Sequence, residues 1–245
     1  MDNTLLVGLS QQLAAFRSME VIANNLANLS TPAYKRESVK FEEFVQQSQP
    51  SEGQGGPQSV SFVQDAGLLR DLNEGRLDKT GNTFDLAVGG KGYFVVQTAA
   101  GDRYTRNGHL TLNGEGQLVT DSGDPIMGDG GAITVTADDG DVHIAPDGTV
   151  SGKQGQMAKL KLVDFDNERD MQKQGMSLYS TDQSPTAVSK PNILQGALET
   201  SNVEPVLEIS HMIDVMRAYQ ATTTLSQSED QLKLQAIDKL GSTPN

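Results

Sequence analysis

The sequence predicts an α+β protein: long N- and C-terminal α-helices paired as a coiled-coil-like layer, with an antiparallel all-β domain inserted between them. Two observations carry this. Apolar residues recur three or four apart near both ends, the spacing of one helix face. Between the ends the pattern shortens to that of strands, broken by Gly-containing turns. The layout expected is a terminal helical assembly domain made of residues 1–35 with 200–245, a linker and extended or β segment over 36–80, and a β-rich domain over 81–199.

The N-terminal helix is marked by Leu5, Leu6, Leu9, Leu13, Phe16, Met19, Ile22, Leu26 and Leu29. Ser30, Thr31 and Pro32 end it, because proline forces the preceding residue out of helical geometry. Glu52 to Pro57 is polar and Gly-rich, and reads as a linker. Strands are expected at Val60–Val63, Phe84–Val88, Tyr93–Gln97, Gly101–Arg106, His109–Leu112, Gln117–Thr120, Ala132–Thr136, Val142–Ala145, Thr149–Ser151 and Ala158–Phe165. Asn107-Gly108, Asn113-Gly114, Ser122-Gly123, Asp139-Gly140 and Asp147-Gly148 mark turns, where glycine tolerates positive φ. The second helix opens through a Ser201/Glu204 capping box or with Pro205 at the first helical position. Its stripe runs through Val206, Ile209, Ile213 and Met216, and then Leu234 and Ile237, to about Leu240. Gln220, Thr223, Gln227 and Asp230 hold the intervening heptad-like positions and would be costly in a dry two-stranded core. The partner surface is therefore polar or shared among several helices.

A formal net charge of -13 and a pI near 4.6 oppose binding to a phosphate backbone, so nucleic acid is not an expected partner. Cysteine is absent, which excludes disulfides and thiolate metal sites. Met1 to Ser10 lacks the features of a cleaved secretory signal, and no run of 18 apolar residues encodes a membrane-spanning helix. Only 36% of the residues are hydrophobic and none is Trp, which suggests apolar burial between subunits.

No catalytic, cofactor or metal site is expected. His109, His143 and His211 lack metal-ligand spacing. Gly89-Gly90-Lys91-Gly92 resembles a phosphate loop but has no Ser or Thr after Lys91, and reads as a hairpin turn. Glu115, Asp121, Asp124, Asp129, Asp138, Asp139, Asp141 and Asp147 crowd an interval without Lys or Arg, in spacings that do not fit a Ca²⁺ loop. Asn24, Asn25 and Asn28 are poor helix formers inside a helix. Either they fray it before its stop, or Asn24 and Asn28, four apart on one face, bond across to a neighbouring helix. Two other classes of reading are a secreted β-domain enzyme or adhesin, which needs a pocket of convergent titratable groups, and a self-sufficient coiled-coil homodimer.

Ala23-Asn24-Asn25-Leu26-Ala27-Asn28, followed by Ser30-Thr31-Pro32-Ala33-Tyr34-Lys35, resembles the N-terminal motif of the flagellar axial proteins, the rod, hook and hook-associated family. That family's turn is Asn-Thr-x-Gly-Phe-Lys-like. Here Ser30 replaces the Asn, Pro32 and Ala33 occupy the x-Gly pair, and Tyr34 replaces Phe. Ser201-Asn202-Val203-Glu204-Pro205-Val206, continuing through Met212 to Gln220, resembles the family's C-terminal helix. Thr80 to Val88, Gly92 to Val96 and Tyr104 to Gly108 resemble its centre. The resemblance is strongest to proximal-rod members, with distal-rod members next.

It implies a non-catalytic structural subunit of the flagellar basal-body rod within the periplasm, polymerising through its terminal helices to transmit torque. Its partners would be other rod proteins, proximal and distal, and a type III export gate, with no membrane insertion. The subunit interface expected comprises Leu9, Leu13, Phe16, Ile22, Asn24, Asn25, Leu26, Asn28, Asn202, Val203, Ile209, Ile213, Met216, Tyr219, Gln220 and Leu234. Phe41-Glu42-Glu43-Phe44-Val45 resembles the family's Phe-x-x-x-hydrophobic export signal. Phe41 and Val45 would share a face if the segment is helical, and the alternative is that Phe41 and Phe44 pack onto the β domain.

Overall fold

The computed structural model describes residues 3–47, 59–175 and 177–241, so the linker read at Glu52–Pro57 lies outside the described residues. The chain divides into two units, one of residues 1–27, 37–70 and 204–245, the other of residues 28–36 and 71–203.

The first unit holds two helices, α1 (Asn3–Ala27) and α2 (Pro205–Gly241), and a hairpin of β1 (Glu37–Gln47) and β2 (Ser59–Arg70). α2 begins on Pro205, whose fixed φ suits a first helical residue and whose missing N–H needs no partner there. The two helices run antiparallel: Asn25 of α1 meets Glu208 of α2, and Gln12 meets Thr223. The sheltered stripe of α2 is Glu208, Met212, Val215, Thr222, Ser226, Glu229 and Lys233, which becomes polar toward the C terminus. β1 and β2 are antiparallel, Glu37 opposite Arg70 and Gln47 opposite Ser59, with a bulge at Lys40/Phe41. The strand expected at Val60–Val63 is the start of β2. Phe41–Val45 is also strand, so Phe41 and Val45 share a strand face in the folded chain, not a helical one.

The second unit is built on a six-stranded antiparallel sheet in the order Gln172–Lys173, Leu178–Ser180, Gly101–Thr105, Tyr93–Thr98, Leu162–Asp164, Thr186–Ala187. Alternation along Tyr93–Thr98 fills both faces. Phe94 and Val96 join a cluster with Leu86, Leu110, Ile126 and Ile193, and Tyr93 and Val95 join Tyr104, Phe165 and Tyr179 on the other side. A strand covered on both faces reads as a continuous apolar run, as Tyr93-Phe94-Val95-Val96 does. Smaller ladders pair Leu86–Val88 with Ile193–Gln195 and Leu77–Lys79 with Ala197–Glu199.

Several expectations change here. The run Ala158–Phe165 is two strands of different sheets, Gly155–Lys159 and Leu162–Asp164, because Leu160 between them turns into the core. Of Ala132–Thr136 only Ala132 lies in a strand, Gly131–Ala132. Gly89–Gly92 is not a hairpin turn: it carries the chain from Leu86–Val88 to Tyr93–Thr98, which belong to separate sheets. At Asn107-Gly108 the glycine answers to space and not to positive φ, since a Cβ there would stand 1.7 Å from the Leu86 carbonyl oxygen.

Candidate assembly surface

Apolar stripes at helical spacing point outward on both helices. Leu6, Leu9, Leu13 and Phe16 of α1 are between 42% and 62% exposed. On α2, Val206, Ile209, Ile213 and Met216 are between 44% and 75% exposed, and Tyr219, Gln220 and Leu234 continue the exposed surface. Large apolar side chains repeated along one face and left in water mark a contact surface, whereas scattered ones do not. The contrast with the sheltered, largely polar stripe of α2 is the informative feature. Phe41, Phe44 and Val45 of β1 are exposed as well, so Phe41 and Phe44 do not fill a core.

Other residues expected at the interface are built into the chain itself. Ile22 and Val203 are buried, Leu26 and Asn28 half-buried, Asn24 exposed. Asn25 is wholly buried. Its Nδ2 donates to the Glu37 carbonyl at 2.7 Å and to Glu208 Oε2 at 3.1 Å, and its Oδ1 accepts from the Glu37 N–H at 3.0 Å. One amide thus completes the start of β1 and ties α1 to the first turn of α2, where the carboxylate of Glu208 also suits the helix dipole. Asn25 thus joins α1 to α2, and Asn28 accepts from Thr31 Oγ1 in the turn after α1. Asn202 is also spent internally: Oδ1 accepts from the Arg36 N–H at 2.7 Å, and Nδ2 donates to the carbonyls of Asp71 and Asn73.

The turn after α1 keeps a left-handed residue. Ala33 has φ 56°, the region that glycine enters without cost, at the place where the resembling motif carries Gly. Its N–H donates to the Glu199 carbonyl at 2.8 Å and its side chain is buried, which holds the conformation in place.

Sequence reasoning missed a buried ionic cluster in the second unit. Glu199 Oε1 accepts from Lys35 Nζ at 2.6 Å and from the Gly75 N–H at 3.0 Å, and Oε2 accepts from Arg106 Nε at 2.9 Å. Lys35 also donates to the Asn73 carbonyl. Arg106 spreads its remaining donors over the carbonyls of Val88, Gly90 and Gly92, so the Gly-rich loop serves as an acceptor of guanidinium rather than of phosphate. Burial opposes the charge on Glu199, but Arg106 and Lys35 outweigh it and hold the carboxyl below the usual carboxylate range. Burial lowers Lys35, against the pull of Glu199. Lys35 and Arg106 stand in motifs already singled out; Glu199 carries no local signal among the chain's many carboxylates.

Among the described residues no three His, Asp or Glu side chains converge as metal ligands, and no helix is long and apolar enough to cross a membrane. His109 Nδ1 lies 2.8 Å from Asp85 Oδ1, which also accepts from the Asn82 side-chain amide at 3.1 Å. Two open grooves in the second unit, of about 490 and 430 Å³, share Thr83 and Val142 in their walls; the first holds Lys79 as its charged residue and the second Asp141.

Comparison with known proteins gives the family. Family models described as flagella basal body rod protein, flagellar hook protein FlgE/F/G D1 domain, and flagellar basal body rod FlgEFG protein C-terminal match residues 3–35, 87–152 and 194–238. The chain is 39% identical to the flagellar basal-body rod protein FlgF of Caulobacter vibrioides over 98% of its own length and 99% of the relative's. It is 33% identical to FlgF of Mesorhizobium japonicum over 99% of both chains. It is also 33% identical to the rod protein FlgG of Buchnera aphidicola, over 91% of this chain and 94% of that one. Near-complete coverage at these identities, joined to matching models at both ends and in the centre, makes the chain a member of the FlgF/FlgG family of flagellar basal-body rod proteins, structural subunits rather than enzymes.

Proposed function

We propose that this chain is a proximal-rod subunit that enters the flagellar rod through the outward stripes of α1 and α2, which lie against helices of neighbouring rod proteins in a coiled-coil-like layer. The observation that carries this reading is the inversion of α2: its sheltered stripe is polar toward the C terminus while Val206, Ile209, Ile213 and Met216 face water. Burying what remains exposed of these four side chains stabilises an assembly by about 0.7–2 kcal/mol each before the cost of association is subtracted. Identity of 39% to an FlgF relative, against 33% to an FlgG relative, supports the proximal over the distal position. Passage through a type III export gate to the periplasm, without a cleaved signal, and engagement of that gate by Phe41 and Val45 before the chain folds, belong to the same proposal.

The test is an Ile213→Asp variant supplied to a strain lacking the chain. It should accumulate and be exported yet fail to enter isolated basal bodies, whose rods should stop short in images. Normal incorporation and motility would overturn the assignment of this stripe.

A further inference from the structure

We infer that the Lys35–Glu199–Arg106 cluster, with Asn202 beside it, is a latch that makes closure of the β-rich unit depend on both ends of the chain at once. The segment 28–36 enters this unit ahead of everything else in it, and the segment 197–203 arrives last. Lys35 and Glu199 are separated by 164 residues, and Arg36 and Asn202 by 166. The same two segments are joined again by the bond from the Ala33 N–H to the Glu199 carbonyl and from the Asn202 N–H to that of Tyr34.

Charge gives the latch its direction. Lys35 and Arg106 are two cations in one buried site, each 4–5% exposed, and Arg106 acts on Lys35 as a like charge that weakens its hold on the proton. Glu74, half exposed, stands 3.7 Å from Arg106, but the buried carboxylate that bonds to both cations is Glu199, and it comes from the last segment. Before residue 199 is in place the two cations face each other without that counter-ion, an arrangement that burial penalises heavily. Once Glu199 enters, its two oxygens divide between them, Oε1 to Lys35 and Oε2 to Arg106. Asn202 then bonds to residues 36, 71 and 73, and the Thr200 N–H bonds to the Arg76 carbonyl. The part of the β unit built from residues 33–36, 73–76 and 199–202 is thus held open while the C-terminal segment is missing, and closes together when it is present.

Native-state hydrogen exchange on the full chain tests this. In Lys35→Met, the amides of Gly75 and Thr200 should lose protection by about a hundredfold or more together with Ala33, although they lie far from residue 35 in sequence, while Phe94 and Val96 keep theirs. Loss confined to residues 33–36, with Gly75 and Thr200 unchanged, would overturn the latch. Should Lys35→Met lose protection throughout the unit, Lys35→Arg decides: it keeps the charge and should hold all of these amides within about tenfold of the parent. A Lys35→Arg chain as open as Lys35→Met would show that shape, not the ion pair, closes the unit.

Discussion

Replacing Arg106 by Lys preserves the charge and should nonetheless destabilise the β-rich unit. Arg106 reaches four oxygens from one planar group: Glu199 at 2.9 Å, Gly90 at 2.9 Å, and Val88 and Gly92 at 3.3 Å each. An ammonium is a compact point donor and can keep Glu199 or the Gly-rich loop, not the whole set. Hydrogen bonds to charged groups contribute about 1.5–3 kcal/mol each. With one short contact regained by Lys and the three lost ones taken at the low end, the net loss is about 4.5 kcal/mol. At a urea slope of about 1.5–3 kcal/mol per molar, the unfolding midpoint should fall by about 1.5–3 M. With no Trp in the chain, tyrosine fluorescence reports on this unit directly, because Tyr93, Tyr104 and Tyr179 sit in its second cluster. A midpoint shift corresponding to less than about 0.5 kcal/mol, the range of an ordinary surface substitution, would refute the account of the fork.

Asn25→Ala should cost about 3–5 kcal/mol, read by urea unfolding followed through helicity, because it removes three buried bonds, two to the Glu37 backbone and one to the Glu208 carboxylate; a cost below about 0.5 kcal/mol, the range of a surface substitution, would remove Asn25 from its internal role. The lowered pKa of Glu199 means that its folded state holds a proton less readily than the unfolded chain, so its stabilisation is present above the ordinary Glu range near about 4.3 and is lost as pH falls through the folded value. Unfolding free energies at neutral and strongly acidic pH should therefore differ more in the parent than in Glu199→Gln, and parallel profiles would contradict the ion cluster. Phe41→Ala should lower secretion in a strain whose rod cannot assemble while cellular levels stay normal; undiminished secretion would separate this segment from export. Gly108→Ala should destabilise the β-rich unit in thermal unfolding by several degrees at least, since its methyl would overlap the Leu86 carbonyl.

What the sequence displays is local, and what it conceals is pairing. α1 and α2 show through their periods, and Pro205 marks the start of α2 because its chemistry fits one position of a helix. β1 is hidden, since Phe41, Phe44 and Val45 are spaced three and four apart as readily as they alternate. The order of the six-stranded sheet follows from contacts between distant segments, on which no single run of residues bears. Which asparagine turns inward is decided by apolar neighbours: Asn25 lies three residues from Ile22 and four from Val21, both buried, a spacing visible in the sequence. Glu199 was out of reach, being 93 residues from Arg106 and 164 from Lys35.

The sheltered face between α1 and α2 has a mechanical consequence. A seam of interlocking leucines fixes two helices in one register, since sliding by a turn breaks every knob-and-hole contact. Here Gly8 lies near Thr222, and Gln12 meets Thr223 at 3.4 Å, contacts that carry little information about register. The alignment is set at the other end, where Asn25 holds Glu208 and the start of β1. The pair is pinned at that end, while the sheltered residues of α2 farther along are small or polar, Thr222, Ser226 and Glu229 among them. In the assembly proposed above, such a pair can shift its far end to meet neighbouring helices at different heights.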